Sequence, residues 1–283
     1  MNKIITCIDG SAITSAVTDA GVWAARKLNK PLCLLHTIEK SQQHGADDYT
    51  GAIGLGARSS LLEEISRLDE QKSKLALELG NALLDSVAEQ ARANGLESVE
   101  TLQRHGDVVD ALMALQEQTR LIVIGRKGEG HDNEFTALGS HIETLLRKAT
   151  EPVLIVPEMF GAPTSFMIAY DGREAAERAL QKVLDGGLLH GIDCHLVAVK
   201  NNEAELKHKF EIAANQLADR GLNVTTAYLE GNINEQLLGY QLEHDIDLVV
   251  MGAFGHSRLR QFFVGSNTMK MLEKTTVPLI ILR

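Results

Sequence analysis

Two short glycine-rich stretches carry the chemistry that this sequence can support. The first to consider is Gly252-Ala-Phe-Gly255, followed after nine intervening residues by Gly265-Ser266-Asn267-Thr268. Glycines let backbone approach a bulky anion, and the first amides of a helix point outward unpaired. Ser266 stands where a helix cap is expected, and Thr268 adds a second hydroxyl. Such a set suits phosphate oxygens.

The second stretch is a variant of the first. Gly125-Arg-Lys-Gly128 is followed after ten residues, not nine, by Gly139-Ser140, and Ile142 replaces Thr268. Its spacer carries Glu129, Asp132 and Glu134 without a Lys or Arg, whereas residues 256–264 carry Arg258 and Arg260 without an acid. Arg pairs with phosphate oxygens directly, and acids repel them. Arg126 and Lys127 offset the acids only in part, so the C-terminal stretch is the stronger anion site.

These stretches need strands before them and helices after them. Leu248-Val-Val-Met251 and Leu121-Ile-Val-Ile124 are apolar runs of the kind found in buried parallel strands. The spacing predicts helices over Asn267–Lys274 and Ser140–Ala149. Earlier in the chain, Lys3–Ile8 and Pro31–Ile38 read as strands around a helix over Ala12–Leu28, which is a βαβ unit. Glu39–Ser59 reads as a long polar loop. Ser60-Leu-Leu-Glu63 has the form of a capping box opening a helix to Asn94, with a break expected near Gly80. Val99–Gln103 and Pro152–Val156 read as further strands, Asp107–Gln118 as a helix and Pro157–Pro163 as a linker.

After the linker the order repeats. Phe166–Tyr170 leads to Asp171-Gly172 as Ile4–Ile8 leads to Asp9-Gly10, and Val277-Pro-Leu-Ile-Ile echoes Glu151-Pro-Val-Leu-Ile. The offset between the copies falls from 162 to 126 residues, so the first copy is 36 residues longer, with the excess between its second and third strands. The expected fold class is α/β: two repeated, open, mainly parallel five-stranded sheets with helices on both faces. The domains expected are 1–157 and 164–283. A chain of 283 residues suits two domains of about 120–160 residues each.

The strand, the Gly-x2-Gly-x9-Gly-Ser loop and the helix in this order resemble the nucleotide-binding signature of the universal stress protein family. The full-length duplication resembles the family's tandem members. The resemblance implies a Rossmann-like fold that binds an adenine nucleotide, ATP with or without Mg, at the carboxyl ends of its strands. It implies that Asp171 and Val199 lie near the base and ribose, that Gly252 and Gly255 approach the ribose and phosphates, and that Gly265, Ser266, Asn267 and Thr268 hold the phosphates. The weaker counterparts in the first copy are Asp9, Thr37, Gly125, Gly128, Gly139 and Ser140. In the family the fifth strand pairs antiparallel with that of another domain. Here Val153-Leu-Ile-Val156 and Pro278–Leu282 are therefore expected to pair within the chain as an internal pseudo-dimer, with a homodimer of chains left open.

The expected role is that of a nucleotide-binding regulatory or stress-survival module. A slow ATPase or phosphoryl-transfer enzyme, and a protein holding a non-nucleotide ligand or partner, are the alternatives. Neither Gly-x4-Gly-Lys-[Ser/Thr] nor His-Glu-x-x-His occurs. Asp9-Gly-Ser11 and His131, Asp132 and Glu134 read as turn and loop chemistry, so neither a catalytic nor a metal-binding set is assigned. A formal net charge of −10 disfavours nucleic acid as a partner, and no run of about 18 apolar residues suggests a membrane span. Cys7, Cys33 and Cys194 are widely spaced and read as core residues, which fits a cytoplasmic location, as does a start without a signal-peptide pattern.

Overall fold

Runs of Val, Ile and Leu bounded by turns form the inner strands, which are buried on both faces because helices cover the sheet from both sides, whereas the more polar strands Val99–His105 and Val224–Leu229 are half-buried or exposed. A computed structural model describes residues 2–38, 55–126, 140–253 and 265–283, with backbone alone for 55–62 and 140. The first copy runs β1 (Lys3–Cys7), α1 (Thr14–Leu28), β2 (Leu32–Ile38), α2 (Leu55–Ala93), β3 (Val99–His105), α3 (Val108–Met113), β4 (Thr119–Gly125), α4 (Ser140–Lys148) and β5 (Val153–Val156). The second runs β6 (Ser165–Ala169), α5 (Glu174–Gly186), β7 (Asp193–Val199), α6 (Leu206–Asp219), β8 (Val224–Leu229), α7 (Ile233–Glu243), β9 (Val249–Gly252), α8 (Ser266–Lys274) and β10 (Leu279–Leu282). A 3₁₀ turn over Gln116–Gln118 follows α3 in place of a longer helix.

Among the described residues ten strands form one sheet, in the order β3-β2-β1-β4-β5-β10-β9-β6-β7-β8. The two five-stranded sheets expected from the sequence are thus halves of one continuous sheet. Pairing is parallel within each half. The halves meet where β10 pairs antiparallel with β5, with Ile280 opposite Leu154. The order reads the same from either end, as an approximate two-fold at the β5–β10 seam requires. An apolar edge strand left open invites aggregation, and here each fifth strand covers the other.

Alternate residues of the strands feed two cores. One holds Ile4, Leu34, Leu121, Ile168 and Val250 with α1, α2, α5 and α6, and the other holds Ile5, Leu35, Ile122, Met167 and Val249 with α3, α4, α7 and α8. In the linker, Phe160 lies against Trp23 with ring centroids 5.8 Å apart. At the start of β6, Asp247 Oδ2 accepts from the Thr164 amide at 2.8 Å and hydroxyl at 2.7 Å.

Two expectations about the insertion are corrected. The helix opens at Leu55, so Ser60 lies within it and does not cap it. Nor does the helix break near Gly80, which is buried in its interior. A Cβ at Gly80 would stand 1.9 Å from Gln103 Nε2 and 2.6 Å from the His36 ring, so glycine lets α2 lie against β2 and β3 without displacing these two side chains.

Candidate functional site

The carboxyl ends of β6, β7 and β9 face the N-termini of α7 and α8 across a cavity of about 590 Å³. Open parallel sheets favour ligands at this edge. The volume falls within the range of about 300–1,000 Å³ usual for small-molecule sites. Of the residues expected in the second-copy site, the cavity gathers Asp171, Val199, Gly252, Gly265, Ser266, Asn267 and Thr268. Gly255 lies outside the described residues, as do Arg258 and Arg260.

The polar end is the start of α8. Gly265 occupies the N-cap and offers no side chain to the first amides, and no side-chain cap bond forms. Among the described residues no side chain caps the amides at the head of α8, and the helix dipole there favours a negative acceptor. Ser266 is the first helical residue and not the cap that its position in the sequence suggested. Asn267 is held by Asn234, whose Nδ2 donates to Asn267 Oδ1 at 3.1 Å. Thr268 is 5% exposed.

The apolar end is built from Val197, Val199, Ile233, Leu237 and Met251. Val199 closes β7 and is buried. Between the two ends stand Asp171, Arg173 and Asn201. Asp171 Oδ1 accepts from the Arg173 amide at 3.0 Å, and the Arg173 guanidinium lies 3.6 Å from its Oδ2. Asn201 Nδ2 donates to the Asp171 carbonyl at 3.1 Å, which ties the end of β7 to the turn after β6. Tyr170 also lines the cavity. Burial and a hydrogen bond to Glu177 push its phenol well above the usual range, so it stays neutral.

Gly252 lines the cavity and carries a packing constraint as well. A Cβ there would stand 2.4 Å from the carbonyl oxygen of Ala175 and 3.0 Å from the Ala176 nitrogen. Its bareness is required by the close approach of α5 to β9, whatever the cavity holds.

The first copy is arranged otherwise. Asp9 Oδ1 accepts from the Ser11 amide at 3.0 Å and hydroxyl at 2.7 Å, and from Thr14 Oγ1 at 3.4 Å, which is turn chemistry ahead of α1. Thr37 lies in β2 and is half-buried, and Gly125 ends β4. Ile142 is buried where the second copy has Thr268. Arg126, expected to offset the acidic spacer, instead donates to the carbonyls of Leu272 and Thr275 at the far end of α8. Burial holds its pKa below the usual arginine range. The backbone of Ser140 opens α4, while Gly128, Gly139, Lys127 and the acidic spacer, with His131, fall outside the described residues.

Several cavity residues had escaped notice in the sequence: Arg173, Asn201, Ile233, Leu237, Met251 and the supporting Asn234. The signal for the α7 group was Asn232-x-x-Glu235, the pattern of a helix start. Asn232 Oδ1 accepts from the Asn234 amide at 3.2 Å and the Glu235 amide at 3.3 Å. The buried Cys194 thiol is pushed up to about 12 by burial, so it has no thiolate to offer.

Comparison with known proteins agrees with this architecture. The model of the Universal stress protein family matches residues 1–157 and again 164–283. Universal stress protein Slr1230 of Synechocystis is 29% identical, over 100% of both chains. Universal stress protein YxiE of Bacillus subtilis is 30% identical over 55% of this chain and 98% of its own. Among solved structures, a universal stress protein from Archaeoglobus fulgidus superposes with a TM-score of 0.73 at 18% identity, covering 100% of this chain and 98% of that one, a likeness of fold. The chain belongs to the universal stress protein family, with two copies of the family domain in tandem.

Proposed function

We propose that the chain binds one adenine nucleotide, ATP, in the second-copy cavity and acts as a nucleotide-dependent regulatory or stress-survival module. The observation that carries this reading is the pairing of an uncapped α8 N-terminus with an apolar slot in one cavity. Three phosphates suit the amides of α8 and the hydroxyls of Ser266 and Thr268, and an aromatic base suits Val199, Ile233, Leu237 and Met251. Asp171 and Asn201 stand between them, where ribose hydroxyls need acceptors and donors.

Asp171 is the one carboxylate among the described cavity residues. A magnesium ion would therefore draw its oxygens mainly from the nucleotide and water, which is the habit of that ion. The described residues place no general base beside the α8 amides, and the reading is binding without assigned turnover.

Isothermal titration of the purified chain with ATP tests the proposal. Saturable binding to one site is expected, with adenosine binding more weakly for want of phosphates. A chain that takes up neither ATP nor any other adenine nucleotide would overturn it.

A further inference from the structure

Between β2 and β3 the first copy carries α2, a 39-residue helix, which spans about 58 Å. Its C-terminal half docks on the sheet from Gly80 onward, and Leu84, Val87, Ala88 and Ala91 are buried. Its N-terminal half does not. From Glu63 to Leu79 almost every side chain is exposed, including Ile65 at 38%, Leu68 at 45%, Leu75 at 56% and Leu79 at 62%.

Those four leave one coherent seam. With Lys72 they recur at alternate spacings of three and four residues, which is the a/d pattern of a coiled coil, with Ile65, Lys72 and Leu79 at a and Leu68 and Leu75 at d. Helices in proteins draw most of their stability from packing an apolar face, and an exposed leucine seam on this one calls for a partner.

We propose that this seam pairs with the same seam of a second copy of the chain, as a short antiparallel two-helix coil. Charge selects the arrangement. A parallel pair would stack the two Lys72 ammoniums in one layer and set Glu64 beside the partner's Asp69. An antiparallel pair with Leu68 over the partner's Lys72 would set Asp69 against the partner's Asp69 and Glu64 against the partner's Glu78. An antiparallel register that uses the described leucines most fully layers Leu68 on the partner's Leu79 and Lys72 on the partner's Leu75. It brings Asp69 beside Ala76 and Gln71 beside Glu78, with no acid facing an acid. The Lys72 stem then covers the partner's Leu75 while its ammonium reaches toward the partner's Glu78.

A lysine at a single a position fixes register at a cost in stability. Four layers also bury less than the roughly 1,200 Å² at the low end of stable interfaces, so the dimer is of the weak, concentration-dependent kind.

Sedimentation velocity of the full chain from low to high micromolar concentration tests this. The expected result is a shift from one chain to two, abolished in Leu68→Glu/Leu79→Glu, which sets acid against acid in the outer layers and whose circular dichroism and ATP titration match the parent chain. Oxidation adds the orientation. Leu68→Cys/Leu79→Cys should cross-link between chains, while either single variant should not, because like positions lie too far apart for the short Cα separation of a disulfide. A single mass of one chain at every concentration, or a dimer that survives the two glutamates, would overturn the proposal. Cross-linking of either single variant would overturn the antiparallel arrangement.

Discussion

Gly252 meets the backbone of Ala175 so closely that a Cβ would lie 2.4 Å from its carbonyl oxygen. Gly265, by contrast, has the Thr268 hydroxyl as its nearest neighbour at 3.6 Å and an ordinary φ of −56°. The two glycines of one motif therefore answer to different constraints. Gly252→Ala is expected to cost about 1–3 kcal/mol through overpacking against α5. Gly265→Ala is expected to cost about 1 kcal/mol or less, as for loss of a glycine N-cap. Urea denaturation of the two variants separates them, and equal losses would contradict the packing argument.

Arg126 makes a second structural prediction. It leaves the first copy and reaches the last carbonyls of α8, where helix ends want a cation. Arg126→Met keeps the length and removes the donors, leaving buried carbonyls without them. A loss of about 1–3 kcal/mol is expected in chemical denaturation. An unchanged midpoint would show that the carbonyls find water.

The pH dependence of stability has a named contributor in Asp247. Burial alone would raise its pKa, but hydrogen bonds from Thr164 and Ser165 outweigh burial and hold it below the usual 3.8. A carboxylate with a depressed folded pKa stabilises the fold above its unfolded value. That stability is lost as pH falls from about 4 through the folded pKa. Asp247→Asn should therefore flatten the acid limb of the stability profile in that window and leave the slope near neutrality unchanged. A mutant whose acid limb follows the parent's would remove Asp247 from the account.

The two copies also differ in what they offer a nucleotide. Ile142 fills the place of Thr268, and Asp9 is engaged by Ser11 and Thr14. One ATP per chain is the expected stoichiometry in calorimetry, and Thr268→Ile should weaken it about tenfold or more, as for loss of a hydrogen bond to a charged group. Two equivalent sites per chain would contradict the asymmetry.

Local pattern made much of this legible in the sequence. The apolar runs, the glycine loops and the repeat marked the strands of each half in chain order, and the resemblance to the family, with its paired fifth strands, implied the β5–β10 seam. What escaped depends on contacts distant in the chain. Gly80 resembles a helix breaker until His36 and Gln103 are seen against it. Arg126 resembles a phosphate ligand until α8 arrives from residues 266–274. Asn201 and Asn234 carry no local mark of a ligand site, because the cavity is assembled only when β7, α7 and α8 converge on one sheet edge.

The central claim is that phosphates rest on the head of α8, and Gly265→Val tests it most directly. The backbone there accepts a side chain, and a branched one stands in the space that the phosphates need. The account predicts a folded protein, judged by circular dichroism and an urea midpoint close to that of Gly265→Ala, whose ATP binding in calorimetry is abolished. A folded Gly265→Val chain that binds ATP with the parent's affinity would contradict it.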